Sequence, residues 1–107
     1  MIELKGRQKR YLRGLANGLK PVVHIGKAGL TQNLVKTIDE ALDLHELIKI
    51  RFLEYEREEK KQLIEEISST LDVPVVGSIG HTVLFYRLQE DPSERKISLP
   101  AGISQEK

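Results

Sequence analysis

Residues 22–31 constrain the fold more than any other part of the chain, because an apolar run there meets a Gly-x-x-Gly turn and then a helical pattern. The β-branched residues from Val22 to Ile25 are typical of a short buried strand. Glycine lacks a Cβ, so Gly26 and Gly29 can adopt a positive φ and let another backbone or an anion come close. The stretch therefore predicts a strand that passes through a tight turn into a helix N-terminus.

The same turn has the features of an anion-binding site. The first N–H groups of a helix lack intrahelical partners and carry partial positive charge, and Lys27 adds a full charge beside them. Thr31 can cap the helix. A purely structural turn is the alternative. The motif does not match a nucleotide-hydrolysing or dinucleotide-binding enzyme, because it lacks the longer glycine spacing of a Walker loop and the third glycine of a Rossmann fingerprint.

Hydrophobic spacing predicts an α/β domain over residues 1–88. Apolar residues recur at helical intervals in three segments. In four other segments they alternate with polar residues or form short continuous runs, as in strands. In chain order these are a helix over about 5–17, a strand over 22–25, a helix from Thr31, a strand over 46–53, a helix over 55–71, and strands over 73–76 and 82–86. The order αβαβαββ predicts a right-handed parallel βαβ unit, an antiparallel hairpin around residues 77–81, and a four-stranded mixed sheet with helices on one or both faces.

The net charge of +1 conceals a strong separation of charge along the chain. Residues 1–29 contain seven Lys or Arg and one Glu, whereas residues 39–66 contain ten Asp or Glu and five Lys or Arg. Four basic residues lie on or next to one stripe along the surface of the predicted first helix: Lys5, Lys9, Arg10 and Arg13. Tyr11 is expected to pack inward. Like charges at helical spacing destabilise a helix, and a polyanion bound to the basic end would offset that effect.

The composition of the chain excludes several kinds of functional site. The chain has no cysteine, which excludes a disulfide framework, a thiolate metal site and a cysteine nucleophile. Its three histidines, His24, His45 and His81, lie on different predicted elements without the spacing of a helical metal pair. No apolar run approaches membrane-spanning length, and we expect a cytoplasmic protein that is a monomer when free. Residues 89–107 are polar with little periodicity and are expected to form a mobile tail.

Four separated blocks resemble, in order and spacing, the CRM domain (chloroplast RNA splicing and ribosome maturation) of stand-alone bacterial YhbY-like proteins: residues 6–13, 20–31, 45–49 and 84–87. The likeness spans residues 4–87. It implies an RNA-binding module associated in bacteria with precursors of the large ribosomal subunit, and a fold similar to the C-terminal domain of translation initiation factor three. It also implies that residues 26–29 form the family's Gly-x-x-Gly loop beside a basic first helix.

We therefore predict a non-catalytic RNA-binding protein that acts in assembly of the large ribosomal subunit, with no metal, cofactor, membrane or small-molecule partner. The residues predicted to bind RNA are Lys5, Lys9, Arg10, Arg13, Lys20, Gly26, Lys27, Ala28, Gly29 and Thr31. A protein-interaction module that uses the acidic third helix is the alternative. A small enzyme acting on a phosphorylated metabolite through His24 and His81 is a third hypothesis. Lys49 and Arg51 form a second basic pair on the face of their strand opposite to Ile48, Ile50 and Phe52, and the sequence leaves open whether Lys49, Arg51 and Arg87 join the RNA-binding face.

Overall fold

Seven helices and strands follow one another in the computed structural model, which describes residues 2–100. They are α1 (Gly6–Ala16), β1 (Val23–Ile25), α2 (Gln32–His45), β2 (Leu47–Phe52), α3 (Arg57–Leu71), β3 (Val75–Ile79) and β4 (Thr82–Tyr86). A single turn of 3-10 helix, Pro92–Glu94, follows β4. The predicted α/β class and the order αβαβαββ are confirmed.

The four strands form one mixed sheet in the order β1-β2-β4-β3. β1 pairs with β2 in parallel, and β4 pairs antiparallel with both β2 and β3, which confirms the predicted βαβ unit and hairpin. The hairpin turn is shorter than the predicted turn over residues 77–81. The reason is that β3 continues through an irregularity between Val75 and Gly77 as far as Ile79, so that only Gly80 and His81 connect the strands.

Helices α2 and α3 cover one face of the sheet. Thr31 caps α2 as predicted, since its Oγ1 accepts a hydrogen bond from Leu34 N at 3.1 Å. Ile38 and Leu42 of α2 and Ile67 of α3 are buried. They belong to one cluster with alternate strand residues, namely Ile25, Ile48, Ile50, Phe52, Val83 and Phe85. Removal of this apolar surface from water is the main force that holds the two helices on the sheet.

Helix α1 covers only part of the opposite face. Its buried positions, Leu12 and Ala16, lie one turn apart. They pack with the strand residues Leu47, Val76, Leu84 and Tyr86. The prediction that Tyr11 packs inward is wrong, because its side chain is 42% exposed, and Leu15 is 43% exposed. A helix that meets a sheet on one side buries a stripe and not its whole apolar surface, and the stripe here runs through Leu12 and Ala16.

Residues 97–100 pack back against the α1 side of the sheet, whereas the sequence predicted residues 89–107 as a mobile tail. Ile97 and Leu99 join the cluster beneath α1. The carboxylate of Glu46, which is 0% exposed, accepts hydrogen bonds from the N–H groups of Lys96 and Ile97. The contacts come from a residue some fifty positions away, so periodicity within the segment could not indicate them. Residues 101–107 lie outside the described residues.

Candidate nucleic-acid interface

The Gly-x-x-Gly turn follows β1 at the end of the sheet. Lys27 and Ala28 are its exposed central residues, and Gly29 N donates a hydrogen bond to the Gly26 carbonyl oxygen at 3.0 Å. Gly29 has a φ of +73°, in agreement with the freedom expected of glycine, but Gly26 does not adopt a positive φ. A β-turn of four residues favours glycine at its last position. Only Gly29 is therefore required by the backbone conformation.

Tyr55, between β2 and α3, holds the turn in place. Its hydroxyl donates a hydrogen bond to the Gly26 carbonyl oxygen, and its ring meets Phe52 edge-on with centroids 6.1 Å apart. A Cβ added at Gly29 would lie 3.9 Å from the Tyr55 oxygen, whereas one added at Gly26 would meet no described atom within 4 Å beyond its chain neighbours. The space that a side chain at residue 26 would occupy is therefore open, whereas the carbonyl oxygen of Gly26 is held by Tyr55 and Gly29. Sequence reasoning placed Tyr55 in the third helix, which begins only at Arg57, and missed this contact because Gly26 is 29 positions away.

Arg51 lies beside the turn on the α1 side of the sheet. It alternates with the buried residues Ile50 and Phe52 of β2, so its exposed side chain points to the opposite face from theirs. The register pairs it with His24 of β1, which is also exposed. Arg51 and Lys27 line one cleft where these strands end. Alternation within β2 separates Arg51 from the buried residues, and the tertiary structure shows that its face is the one that carries α1 and lies next to the turn.

The basic residues of α1 lie towards the other edge of the sheet. A Cβ built on Gly77 of β3 would be 3.2 Å from Arg13 Cδ, so the Arg13 side chain lies across that strand. Lys9 lines a shallow depression with Pro74 and Val75, at the start of β3. Lys5 and Arg10 are exposed on or next to the same helix. Lys20 follows α1 and lies beside Val22 and Ile48, so it is near β1 and β2. Because β1 and β3 are opposite edges of the sheet, Lys9 and Arg13 lie apart from the turn, and the predicted residues do not form one cluster.

Lys49 and Arg87, the two other cations that the sequence left unassigned, have structural partners. Lys49 Nζ donates to the Leu19 carbonyl oxygen at 2.9 Å, which ties the segment after α1 to β2. Arg87 forms ion pairs of 2.8 Å with Asp39 and Asp43 of α2. Burial lowers the pKa of Arg87, but hydrogen bonds and charge from these two carboxylates outweigh that effect and raise the pKa above its ordinary value. Arg87 therefore belongs to the acidic side of the domain.

The separation of charge along the sequence becomes a separation between the two faces of the sheet. Helix α1 and Arg51 lie on one face, and α2 and α3 cover the other. The exposed carboxylates of α2 and α3 include Glu40, Asp43, Glu58, Glu59, Glu65 and Glu66. A polyanion would be attracted to the face that carries α1 and repelled by the opposite one.

The metal-ligating, apolar and acid–base side chains of residues 2–100 bear on other kinds of site. No group of three or more His, Cys, Asp or Glu side chains in this range could hold a metal ion. No helix in the same range is long and apolar enough to cross a membrane. The two histidines considered as acid–base groups, His24 and His81, are both exposed, and His81 lines the same cleft as Lys27. The chemistry of this surface thus consists of positive charge, an accessible backbone turn and a cleft.

The sheet order, the turn and the charged face define a small mixed α/β module with cations on one face and a Gly-x-x-Gly turn at its end. The chain belongs to the CRS1/YhbY (CRM) domain family, whose model matches residues 4–87. The resemblance noted in the sequence is confirmed.

Three relatives illustrate this membership. A Haemophilus influenzae protein named "RNA-binding protein" is 41% identical over 100 residues, which cover 94% of this chain and 98% of the relative. YqeI of Bacillus subtilis, named a probable RNA-binding protein, is 37% identical, with 91% of this chain and 99% of YqeI covered. The solution structure of a hypothetical Staphylococcus aureus protein, described as a candidate RNA-binding protein, matches with a TM-score of 0.76 at 39% identity. That match covers 92% of this chain and 100% of the other. All three are similar to this chain over nearly their whole length, and their names describe RNA binding and not catalysis.

Proposed function

We propose that this protein binds RNA, that the RNA is ribosomal RNA of the large-subunit precursor, and that binding serves assembly of that subunit in the cytoplasm. The observation that carries the proposal is the separation of charge, with the cations of α1, the turn and β2 on or beside one face and the acidic helices over the other. The names of the relatives support RNA as the polyanion. The resemblance to YhbY-like proteins supports the ribosomal precursor.

The turn supplies the first proposed phosphate site. The turn is open on the side where a Cβ of residue 26 would lie, and Lys27 is exposed next to it. Tyr55 holds the turn before RNA arrives, so little conformational entropy is lost on binding. Residues 28–31 complete the turn and lead into α2, whose first N–H groups favour an anion.

The basic residues of α1 supply the second proposed site. Lys9 and Arg13 lie towards β3, and Arg10 is exposed on the same helix. Three strand intervals separate β1 from β3, which is roughly 14 Å at the usual spacing of strands. An RNA that contacts both sites must span that width, which suits a folded RNA recognised by its shape and its phosphate positions. The proposed action is binding alone, with no chemical step.

Binding to labelled fragments of large-subunit ribosomal RNA precursor, measured by fluorescence anisotropy over a salt series, tests the proposal. The predicted site contains six Lys or Arg, and six phosphate contacts would give a slope of log affinity against log salt of about −4 to −5. Lys27→Glu should make the slope shallower by about 1, and the double variant Lys9→Glu, Arg10→Glu by about 2. Lys61→Glu makes the same charge change at an exposed position of α3. This matched control should leave the slope close to that of the wild type.

A shallow slope that neither variant changes would contradict the proposal and favour a protein-interaction module. That alternative rests on the exposed carboxylates of α3, which face away from α1. Reversing the charge of Glu58, Glu59 and Glu65 should then abolish function in cells, whereas Lys27→Glu should not.

A further inference from the structure

A cleft of about 600 Å³ opens at the end of the sheet where β1 and β2 end and β4 begins. The Gly-x-x-Gly turn forms one wall and His81 the other, with residues 51–55 between them. Two backbone hydrogen bonds bracket the floor, since Leu53 N donates to the Ile25 carbonyl oxygen at 2.9 Å and Phe52 N donates to that of His81 at 2.8 Å. The end of β2 is therefore held between the Gly-x-x-Gly turn and the turn of the β3–β4 hairpin.

Both walls of the cleft are held by side chains from the segment that begins α3. The Tyr55 hydroxyl donates to the Gly26 carbonyl oxygen, and Lys60 Nζ donates to the Gly80 carbonyl oxygen at 3.0 Å. The shape of the cleft is thus set before a ligand enters, and a preorganised cleft loses little affinity to ordering. Its volume lies within the range of small-ligand sites, which leaves room for one nucleotide.

Glu54 is the acidic residue among those that line this cleft. Lys27 and Arg51 line it as well, and both would attract a phosphate that Glu54 repels. Glu54 also has a φ of +60°, in the left-handed region that residues other than glycine rarely adopt. A carboxylate in this position can accept hydrogen bonds from N–H donors. A phosphate has no such donors, but a nucleobase does.

We propose that the cleft binds one unpaired nucleotide of the RNA and favours guanine, an inference that rests on the proposed function. The phosphate lies against Lys27 and Arg51. The Glu54 carboxylate accepts hydrogen bonds from guanine N1–H and the exocyclic amino group, two adjacent donors that no other RNA base presents on its Watson–Crick edge. His81 offers a ring on which the base can stack. A paired base uses that edge for its partner, so the bound nucleotide must be unpaired.

Five labelled RNA hairpins that share one stem would test the inference with the full-length protein. One hairpin is fully paired, and the other four carry a single bulged G, A, C or U. We expect the bulged-G hairpin to bind roughly tenfold more tightly than the bulged-A hairpin. All four bulged hairpins should bind more tightly than the fully paired one, by roughly fivefold or more, because only an unpaired base stacks on His81. Glu54→Gln should reduce the difference between G and A to about twofold, because the amide offers one acceptor oxygen and not two. Glu58→Gln removes the same charge at an exposed position of α3 and should keep the preference.

His81→Ala provides a second variant that does not depend on the backbone conformation of Glu54. It should weaken binding of all four bulged hairpins by roughly fivefold or more and leave the fully paired hairpin unchanged, because only an unpaired base stacks on the ring. Equal affinity of the wild type for all five hairpins would overturn the inference while RNA binding itself stands. A guanine preference that survives Glu54→Gln, or bulge binding that survives His81→Ala, would do the same. Absence of binding to every hairpin and to the ribosomal fragments would overturn the proposed function as well.

Discussion

Replacing Glu46 with glutamine should lower the free energy of unfolding by about 2 kcal/mol, because a buried carboxylate that binds two backbone N–H groups would lose its charge. The carboxylate oxygens accept from Lys96 N at 3.1 and 2.9 Å and from Ile97 N at 2.9 Å. Hydrogen bonds to a charged group contribute about 1.5–3 kcal/mol each. Glutamine keeps one acceptor oxygen, so the expected loss is smaller than the sum of both bonds.

A loss of about 2 kcal/mol corresponds to a fall in Tm of roughly 10 °C for a domain of this size. The backbone of Glu46 adds a second, separable effect, since its φ is +69° and its ψ is −49°. Such conformations cost a residue with a Cβ about 1–3 kcal/mol. Glu46→Gly should therefore be more stable than Glu46→Ala by about 1 kcal/mol, although both lack the carboxylate.

Thermal and urea denaturation measure the stability of these variants, and amide hydrogen exchange reports on Lys96 and Ile97 directly. Glu46→Gln should increase exchange at those two amides, because the bonds that protect them are weakened. Glu90→Gln removes the same charge from an exposed side chain of the same segment and serves as the control. An unchanged denaturation midpoint with both amides still protected in Glu46→Gln would refute the reasoning.

Two further predictions concern the turn and the core. Gly29→Ala should lower the free energy of unfolding by about 1–2 kcal/mol, because a φ of +73° is unfavourable for a residue with a Cβ. Gly26→Ala should change the free energy of unfolding by less than about 0.5 kcal/mol and yet weaken RNA binding. Equal stability of Gly29→Ala and Gly26→Ala would contradict the turn geometry. Tyr86→Phe removes a buried hydroxyl without a hydrogen-bond partner among residues 2–100, and stability at neutral pH should change by less than about 1 kcal/mol. Burial, followed by the charge of Glu46, raises the pKa of this hydroxyl above its ordinary value of 10.0. The unfolded chain therefore ionises first, so stability is retained below about pH 10 and falls as the pH rises further. Denaturation midpoints on both sides of pH 10 should show that Tyr86→Phe loses less stability at alkaline pH than the wild type does. If both proteins lose the same stability, the alkaline loss does not come from Tyr86.

The positions of the helices and strands could be predicted because they follow from patterns within short segments. Alternation of Ile48, Ile50 and Phe52 with polar residues predicted β2, and helical spacing around Ile38 and Leu42 predicted α2. The cap at Thr31 needs only contacts within one turn of the helix. Local chemistry was therefore sufficient for the order αβαβαββ and for the Gly-x-x-Gly turn.

The composition of the candidate site was harder to predict, because its members come from distant segments. Tyr55 and Gly26 are separated by 29 positions, and His81 reaches the cleft only through the pairing of β4 with β2. Arg51 and Arg87 are both basic residues in or next to strands. One faces the cleft and the other is paired with α2. Two features distinguish these arginines: the register of the strands, and the fact that α2 and α3 cover one face of the sheet and α1 part of the other.

The sequence by itself determined the order of helices and strands, the turn chemistry and the separation of charge into a basic and an acidic segment. Tertiary structure alone decided that these segments lie on opposite faces and that Lys9 and Arg13 lie at the opposite edge of the sheet from the turn. It also decided that Glu46 is buried beneath residues 96–97. The physical reason is the range of the interactions. Backbone hydrogen bonding and periodicity act within a few residues, whereas strand pairing and burial join residues that the chain keeps far apart.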